Sequence, residues 1–191
     1  MKKRLRILAI VFLPMLVYSC HKDHTPKPRG YFRIDFPEKK YQTFDAKCPF
    51  SFEYPAYGVI EDVPGATGSD CWYNVSFPKY KAKIHLTYKK VDHNLAKYIE
   101  DVHAIAYKHI IKADDIKEIP VIHNKNHVYG IIYDISGNTA SSLNFFVTDS
   151  TKHFLSGALY FSAEPNVDSL RPCLQFFRQD VVHLTESIEW K

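Results

Sequence analysis

The sequence has 191 residues, and its 25 Lys and Arg against 21 Asp and Glu give a formal net charge of +4. Hydrophobic residues make up 46% of it and aromatic residues 15%, a composition that excludes a disordered chain and indicates a globular protein. The excess charge comes from Lys2, Lys3, Arg4 and Arg6, and the remaining 21 basic and 21 acidic residues give no argument for binding nucleic acid.

The N-terminus has the layout of a lipoprotein signal peptide. Basic residues precede an apolar run from Ile7 to Val17, and the small residue Ser19 stands before Cys20. The run is about half the roughly 20 residues that span a bilayer, and Pro14 interrupts it. The pattern resembles a bacterial lipobox, in which the cysteine is lipidated and becomes the first mature residue. We therefore expect residues 1–19 to be a signal peptide and Cys20 to carry the lipid.

The rest of the chain suits one domain behind a short tether. Removing residues 1–19 leaves 172 residues, enough for a sizeable core. Residues 20–30 are mostly polar and carry Pro26 and Pro28, so we expect an extended and rather stiff tether. A single globular domain is expected over residues 31–191.

Alternating polarity predicts several short strands in the first part of this domain. We expect strands at residues 31–36, 49–54 and 57–62, followed by a loop at 63–70 that contains Pro64, Gly65 and Gly68. Residues 72–77 and 82–88 predict the clearest hairpin, since its second arm alternates strictly between apolar and polar side chains.

Two amphipathic helices and two further hairpins are expected downstream. A helix capped by Asp92 or Asn94 should run to about Ile111, since its apolar residues recur at helical spacing. Hairpins are predicted at 119–122 with 128–135 and at 143–148 with 153–161, and the strand at 128–135 should be central because both of its faces are apolar. A long helix should begin at Asp168–Ser169. The fold class is therefore α+β, with a largely antiparallel central sheet flanked by two long helices.

The sequence proposes no catalytic residue, metal site or cofactor. His123 and His127 bracket a turn and could meet, but no cysteine or carboxylate stands nearby to complete a zinc site. Ser141, Ser142 and Ser150 have no histidine that can be assigned as their base, so they are interpreted as turn residues. Aromatic pairs at 31–32, 72–73 and 176–177 could stack on a sugar or a peptide, but core packing is the simpler explanation because aromatic residues are favoured in strands.

Three cysteines remain besides Cys20. Cys48 and Cys71 each precede an aromatic-rich strand, and an exported protein can form a disulfide. Connectivity cannot be read from sequence, so this pair is one possibility and two free thiols are the other. Cys173 lies early in the last helix among leucines and is interpreted as a small buried residue.

Several segments resemble the gliding-motility lipoprotein GldD family of Bacteroidetes. The matching segments are residues 28–37 (PRGYFRIDFP), 48–55 (CPFSFEYP), 71–86 (CWYNVSFPKYKAKIHL), 129–131, 137–142, 147–150, 154–161, 165–166 and 168–170. The resemblance covers nearly the whole mature chain and the lipobox, where the bulky Tyr18 is the one departure.

The resemblance implies a membrane-tethered, non-enzymatic accessory of the gliding-motility and type IX secretion machinery, with other envelope proteins as partners. It brings no catalytic residues, and its fold resembles the PsbP/Mog1 type of α/β/α sandwich. Lys22 and Asp23, just after Cys20, resemble a Bacteroidetes surface-export signal but include a single acidic residue. We therefore expect the domain to be anchored to the inner or outer membrane and to face the periplasm. The alternative is an envelope lipoprotein that binds or hydrolyses a glycan or a peptide through an aromatic-rich cleft.

Overall fold

The computed structural model describes residues 33–45, 47–63, 71–139, 141–162 and 167–191. This part of the chain forms two helices, α1 (Leu95–Tyr107) and α2 (Val167–Glu186). Its ten strands are β1 (Tyr41–Asp45), β2 (Phe50–Pro55), β3 (Val59–Asp62), β4 (Trp72–Phe77), β5 (Ala82–Lys90), β6 (Ala113–His123), β7 (Val128–Gly137), β8 (Ser141–Thr148), β9 (His153–Phe161) and β10 (Glu189–Trp190).

The strands form two antiparallel sheets. Seven of them lie in the order β3-β4-β5-β9-β8-β7-β6, and the other three in the order β1-β2-β10. Strands β5 and β9 pair along their whole length and join two hairpins of the large sheet. Their pairing runs from Ala82 opposite Phe161 to Lys90 opposite His153. In the small sheet the C-terminal strand β10 pairs with β2, which lies more than 130 residues earlier.

Helices cover the large sheet on both faces. Side chains of α2 and β2 form the main core with one face of β4, β5, β8 and β9, including Phe50, Ile84, Phe145, Phe177 and Val181. On the opposite face α1 forms a second core, including Val102, Ala106, Tyr133, Phe146 and Phe154. Because β8 lies between these two layers, all eight of its residues are buried.

The α+β class and the antiparallel sheet agree with the sequence prediction, but the helices differ from it. Helix α1 has 13 residues and is followed by a 3₁₀ turn, Lys108–Ile111, so it is not a long helix. Ile110 and Ile111, predicted to lie within or at the end of the helix, are 60% and 91% exposed. The strand β6 then begins at Ala113, six residues before the start of the predicted strand. In addition, α2 is not alone on its face of the large sheet, because the small sheet of β1, β2 and β10 packs on the same core.

The prediction for the start of the domain was also wrong in part. Residues 33–36 form no strand; the first strand is β1, and residues 31–32 lie outside the described residues. The alternation that suggested a strand is real, since Ile34 and Phe36 are partly buried while Arg33 and Asp35 are exposed. These apolar side chains pack on the main core without joining a backbone ladder. The strand expected at 128–135 is β7, which is an interior strand but stands second from the edge.

Candidate functional site

Cys20 lies outside the described residues, and the structure begins with residues 33–40, which we call the arm. The arm lies along α2. The ring of Phe36 stacks on Phe176 of α2 at a centroid distance of 4.3 Å and on Tyr80 at 5.7 Å. The hydroxyl group of Tyr80 also donates a hydrogen bond to the carbonyl of Asp35, 3.3 Å away. The first described residues of the domain are therefore held by side-chain stacking.

A buried ion pair fixes the end of the arm. Lys39 Nζ lies 2.7 Å from Oδ1 of Asp180 on α2, and the Asp180 side chain is completely buried. The same ammonium group donates to the carbonyl of Phe176 at 2.8 Å and to the hydroxyl of Tyr57 at 2.9 Å. The hydroxyl groups of Tyr57 and Tyr41 in turn donate to Asp180 at 2.5 and 3.1 Å. Asp180 thus accepts three hydrogen bonds, which offsets the cost of burying its charge.

The electrostatics of this cluster favour one protonation state. Burial lowers the pKa of Lys39 below its usual value, even though Asp180 acts in the opposite direction. Burial, and then the Asp180 carboxylate, raise the pKa values of Tyr57 and Tyr41 well above 10. Both phenols therefore stay protonated as donors at any physiological pH. The cluster is a clamp between the arm and α2, and it contains no free nucleophile or base.

Cys48 and Cys71 are joined in a disulfide, with their Cα atoms 6.0 Å apart. Cys48 lies just before β2 and Cys71 just before β4, so the bond connects the small sheet to the large one. The hydroxyl group of Tyr73 lies 3.4 Å from Cys48 Sγ and must be the donor, since a disulfide sulfur has no hydrogen. Cys173 is a free thiol in the core, and burial raises its pKa.

An open groove of about 600 Å³ lies where two turns meet the strand β10. Its lining includes the β6–β7 turn, the β8–β9 turn and β10. His153 stacks on Trp190 at 5.2 Å with nearly parallel rings, and its Nδ1 lies 2.9 Å from the hydroxyl of Tyr88. The indole nitrogen of Trp190 donates to the carbonyl of His127 at 3.2 Å. We call this the turn groove.

The turn groove has a basic rim. Lys125, Lys152 and Lys191 line it, together with the carboxylates of Asp149 and Glu189, and the ammonium group of Lys191 is paired with Asp45. Asp149 is already engaged, because its Oδ1 accepts the backbone N–H groups of Thr151, Lys152 and His153 at 2.8–2.9 Å. Burial lowers the pKa of His153, so this ring is neutral at pH 7. Such a groove can accept carboxylate groups of a partner.

The other candidates from sequence have structural roles. His123 and His127 flank a 3₁₀ turn, and the described residues contain no cluster of three or more ligands suited to a metal. The interpretation of Ser141 and Ser142 as turn residues was wrong, because both are buried in β8, and the hydroxyl group of Ser141 donates to the carbonyl of Leu159 on β9 at 3.1 Å. Phe177 is buried in the core and Phe176 packs against it, whereas Trp72 is 40% exposed. Phe176 and Phe177 therefore have the core-packing role that the sequence favoured over an aromatic-rich cleft, and residues 31–32 lie outside the described part.

Sequence reasoning missed the Lys39–Asp180 clamp. Its only local signal is an acidic residue beside the apolar stripe of α2, since Asp180 directly precedes Val181. Within the part of the chain that the structure describes, no helix is both long and apolar enough to cross a membrane.

Comparison with solved structures finds a cyanobacterial PsbP (CyanoP) from Synechocystis sp. PCC 6803, determined in solution. It is 10% identical, with a TM-score of 0.47, over 81% of this chain and 95% of the other. No curated protein sequence matches the chain. The model of one family, described as gliding motility lipoprotein GldD, matches residues 21–190. The chain therefore belongs to the GldD family of gliding motility lipoproteins.

Proposed function

We propose that the protein is a lipid-anchored, non-enzymatic accessory of the gliding-motility and type IX secretion machinery, which acts through protein contacts in the cell envelope. The family match over residues 21–190 is the observation that carries this proposal. The lipid would be attached to Cys20, and the partners would be other envelope proteins. Neither nucleic acid nor a cofactor is required.

The arm supports the idea of a tethered domain. Twelve residues lie between Cys20 and Arg33, and the thirteen Cα–Cα steps that join them span at most about 45 Å. A lipid at Cys20 would therefore keep the domain within this reach of its membrane. The clamp of Lys39 on Asp180 would transmit any pull on the tether to α2, which lies in the main core.

The disulfide supports an oxidising location. Disulfides persist in the bacterial periplasm and on cell surfaces but are rare in the cytosol. We propose that Cys48 and Cys71 are oxidised in the cell and that the domain faces the periplasm. Cys173, which is buried, would take no part in this chemistry.

We further propose that the turn groove is a contact surface for an acidic patch on an envelope partner. Lys125 and Lys152 give it charge, and the His153–Trp190 stack gives it a rigid flat surface. Tryptophan is among the residues that most often carry the binding energy of such contacts, and lysine charges on the rim favour an acidic partner.

Genetic complementation tests the proposal. A strain that lacks the gene should lose colony spreading and type IX secretion, and the wild-type gene should restore both. We expect Cys20→Ala to fail because the domain is no longer held at the membrane, whereas Cys173→Ala should restore both. A deletion strain that spreads and secretes normally would contradict the proposed role.

The contact surface needs a separate variant. Lys125→Glu combined with Lys152→Glu should be exported and folded but should not restore spreading. Lys97→Glu, which reverses an exposed charge on α1 away from the groove, is the matched control. Full activity of the double variant would rule out the turn groove and leave the accessory role intact.

A further inference from the structure

A second cleft lies between α1 and the large sheet, on the face opposite α2. It has a volume of about 380 Å³, within the usual range of ligand sites. Strands β5, β8 and β9 form its floor, and the side of α1 forms one wall. Its polar lining residues are His85, Thr87, Asn144, Ser156 and Tyr160. We call it the α1 cleft.

The polar groups of the α1 cleft are all uncharged. Asn144, Ser156, Thr87 and Tyr160 carry an amide and three hydroxyl groups. His85 completes the set, and partial burial together with the ammonium group of Lys83 lowers its pKa, so the ring is neutral at pH 7. Lys83 itself is paired with Glu61 at 2.9 Å. A site of this kind suits a neutral ligand rich in hydroxyl and amide groups, and it offers no charged partner to a phosphate or a carboxylate.

One donor in this cleft has no protein partner. Asn144 is only 2% exposed, and its Oδ1 accepts a hydrogen bond from Ser141 at 3.3 Å. Among the described residues, its Nδ2 is one of three buried side-chain atoms without a hydrogen bond. A second such atom is Oδ1 of Asn74, which lies in the same cross-strand row as Asn144, with His85 and Ala158 between them. Leaving a buried amide unpaired costs about 1–3 kcal/mol, which a ligand carbonyl would recover.

Non-polar side chains of α1 form one wall of the cleft. Val102 and Ile105 project from α1, and Ile105 is 45% exposed at the rim. Opposite them, the rings of His85 and Tyr160 are packed edge to face at 5.2 Å and an angle of 71°. The cleft therefore combines an unpaired amide donor, an aliphatic wall that fits a methyl group, and an aromatic pair.

The floor of the cleft argues against an extended peptide. Peptides that bind sheets usually add a strand to a free edge and use main-chain hydrogen bonds. Strands β5, β9 and β8 are interior strands, and each is paired on both sides. The cleft can therefore recognise a ligand only through side chains, as sugar-binding sites commonly do.

We propose that the α1 cleft binds a neutral N-acetylated sugar unit of an envelope glycan. Asn144 Nδ2 donates to the acetamido carbonyl, and the acetamido methyl group packs on Val102 and Ile105. The hydroxyl groups of Thr87, Ser156 and Tyr160, with His85, bind sugar hydroxyls. This binding is independent of the protein contacts proposed above, so its failure would leave them unaffected.

Saturation-transfer NMR with N,N′-diacetylchitobiose tests the proposal on the full-length lipoprotein in nanodiscs. We expect the acetamido methyl group to receive the strongest saturation. Cellobiose, which has hydroxyl groups in place of both acetamido groups, should bind at least tenfold more weakly because it cannot pair with Asn144 in the same way. Ile105→Lys, which fills the rim with a surface side chain, should also weaken binding at least tenfold.

Two further variants complete the design. Asn144→Ala should weaken binding of diacetylchitobiose and reduce its preference over cellobiose. Ile122→Lys, at a 63% exposed position on the edge strand β6 and outside the cleft, should bind as the wild type does. The proposal is overturned if diacetylchitobiose shows no saturation transfer, if Ile105→Lys binds it unchanged, or if trialanine binds in the cleft and the sugar does not.

Discussion

Lys39 and Asp180, 141 positions apart in the sequence, form the ion pair that connects the first described segment of the domain to its longest helix. Their charged atoms lie 2.7 Å apart, and 22% of the Lys39 side chain is exposed while Asp180 is completely enclosed. The pair therefore couples the first described segment of the domain to the main core.

Removing the lysine should destabilise the domain. In Lys39→Met the buried Asp180 carboxylate keeps two tyrosine donors but loses its counter-charge. We expect the free energy of unfolding to fall by about 3 kcal/mol. Urea denaturation of the purified lipoprotein measures this change. Lys40→Met is the matched control, because Lys40 and its partner Glu38 are both more than 70% exposed and should matter little. Equal losses of stability in the two variants would show that the buried Lys39–Asp180 ion pair stabilises the domain no more than an exposed pair does.

Reduction should also destabilise the domain. The disulfide closes a loop between residues 23 positions apart, and its loss should lower the free energy of unfolding by about 3 kcal/mol. We expect dithiothreitol to lower the urea midpoint of the wild type and leave that of Cys48→Ser/Cys71→Ser unchanged. A wild-type midpoint that does not respond to the reductant would mean that the bond is absent or without consequence.

The sequence pattern predicted most strands, because alternation and helical spacing report local burial. Both arms of the 72–88 hairpin and the buried stripe of α2, including Phe177, Val181 and Leu184, lie where the pattern placed them. The clamp and the α1 cleft depend on contacts between distant segments, such as Lys39 with Asp180 and α1 with β8. Such contacts leave no local periodicity, and β10, with only two residues, is too short to show any.

Gly157 should resist substitution because an aromatic ring occupies the space where a side chain would stand. A Cβ atom at this position would lie 2.4 Å from the Phe145 ring, which is fully buried. Gly157→Ala should therefore cost about 1–3 kcal/mol through overpacking. Adding Phe145→Leu should recover part of that loss, since the smaller side chain makes room. Thermal unfolding of Gly157→Ala, Phe145→Leu and the double variant checks this, and a loss of stability in the double variant equal to or larger than the sum of the two single losses would contradict the steric explanation.

Asp149 should make the free energy of unfolding of the domain depend on pH in the acid range. Burial alone would raise its pKa, but hydrogen bonds from the backbone of His153, the hydroxyl of Thr151 and the backbone of Lys152 outweigh this and lower the pKa from 3.8 to about 2. The unfolded chain then binds more protons than the folded one between pH 4 and 2, so stability falls as the pH decreases through that window. Because the carboxylate is partly exposed, we expect solvent screening to reduce the effect to about 1 kcal/mol.

Asp149→Asn tests this origin of the acid sensitivity. The amide oxygen can still accept from the backbone N–H groups of the turn, but the side chain no longer titrates. The variant should be less stable than the wild type at pH 7, and the difference between them should shrink on going to pH 2. Urea midpoints at pH 7, 4 and 2 measure both quantities. If the difference stays constant over this range, the hydrogen bonds of the turn do not favour the ionised form, and the β8–β9 turn is held by its backbone geometry alone.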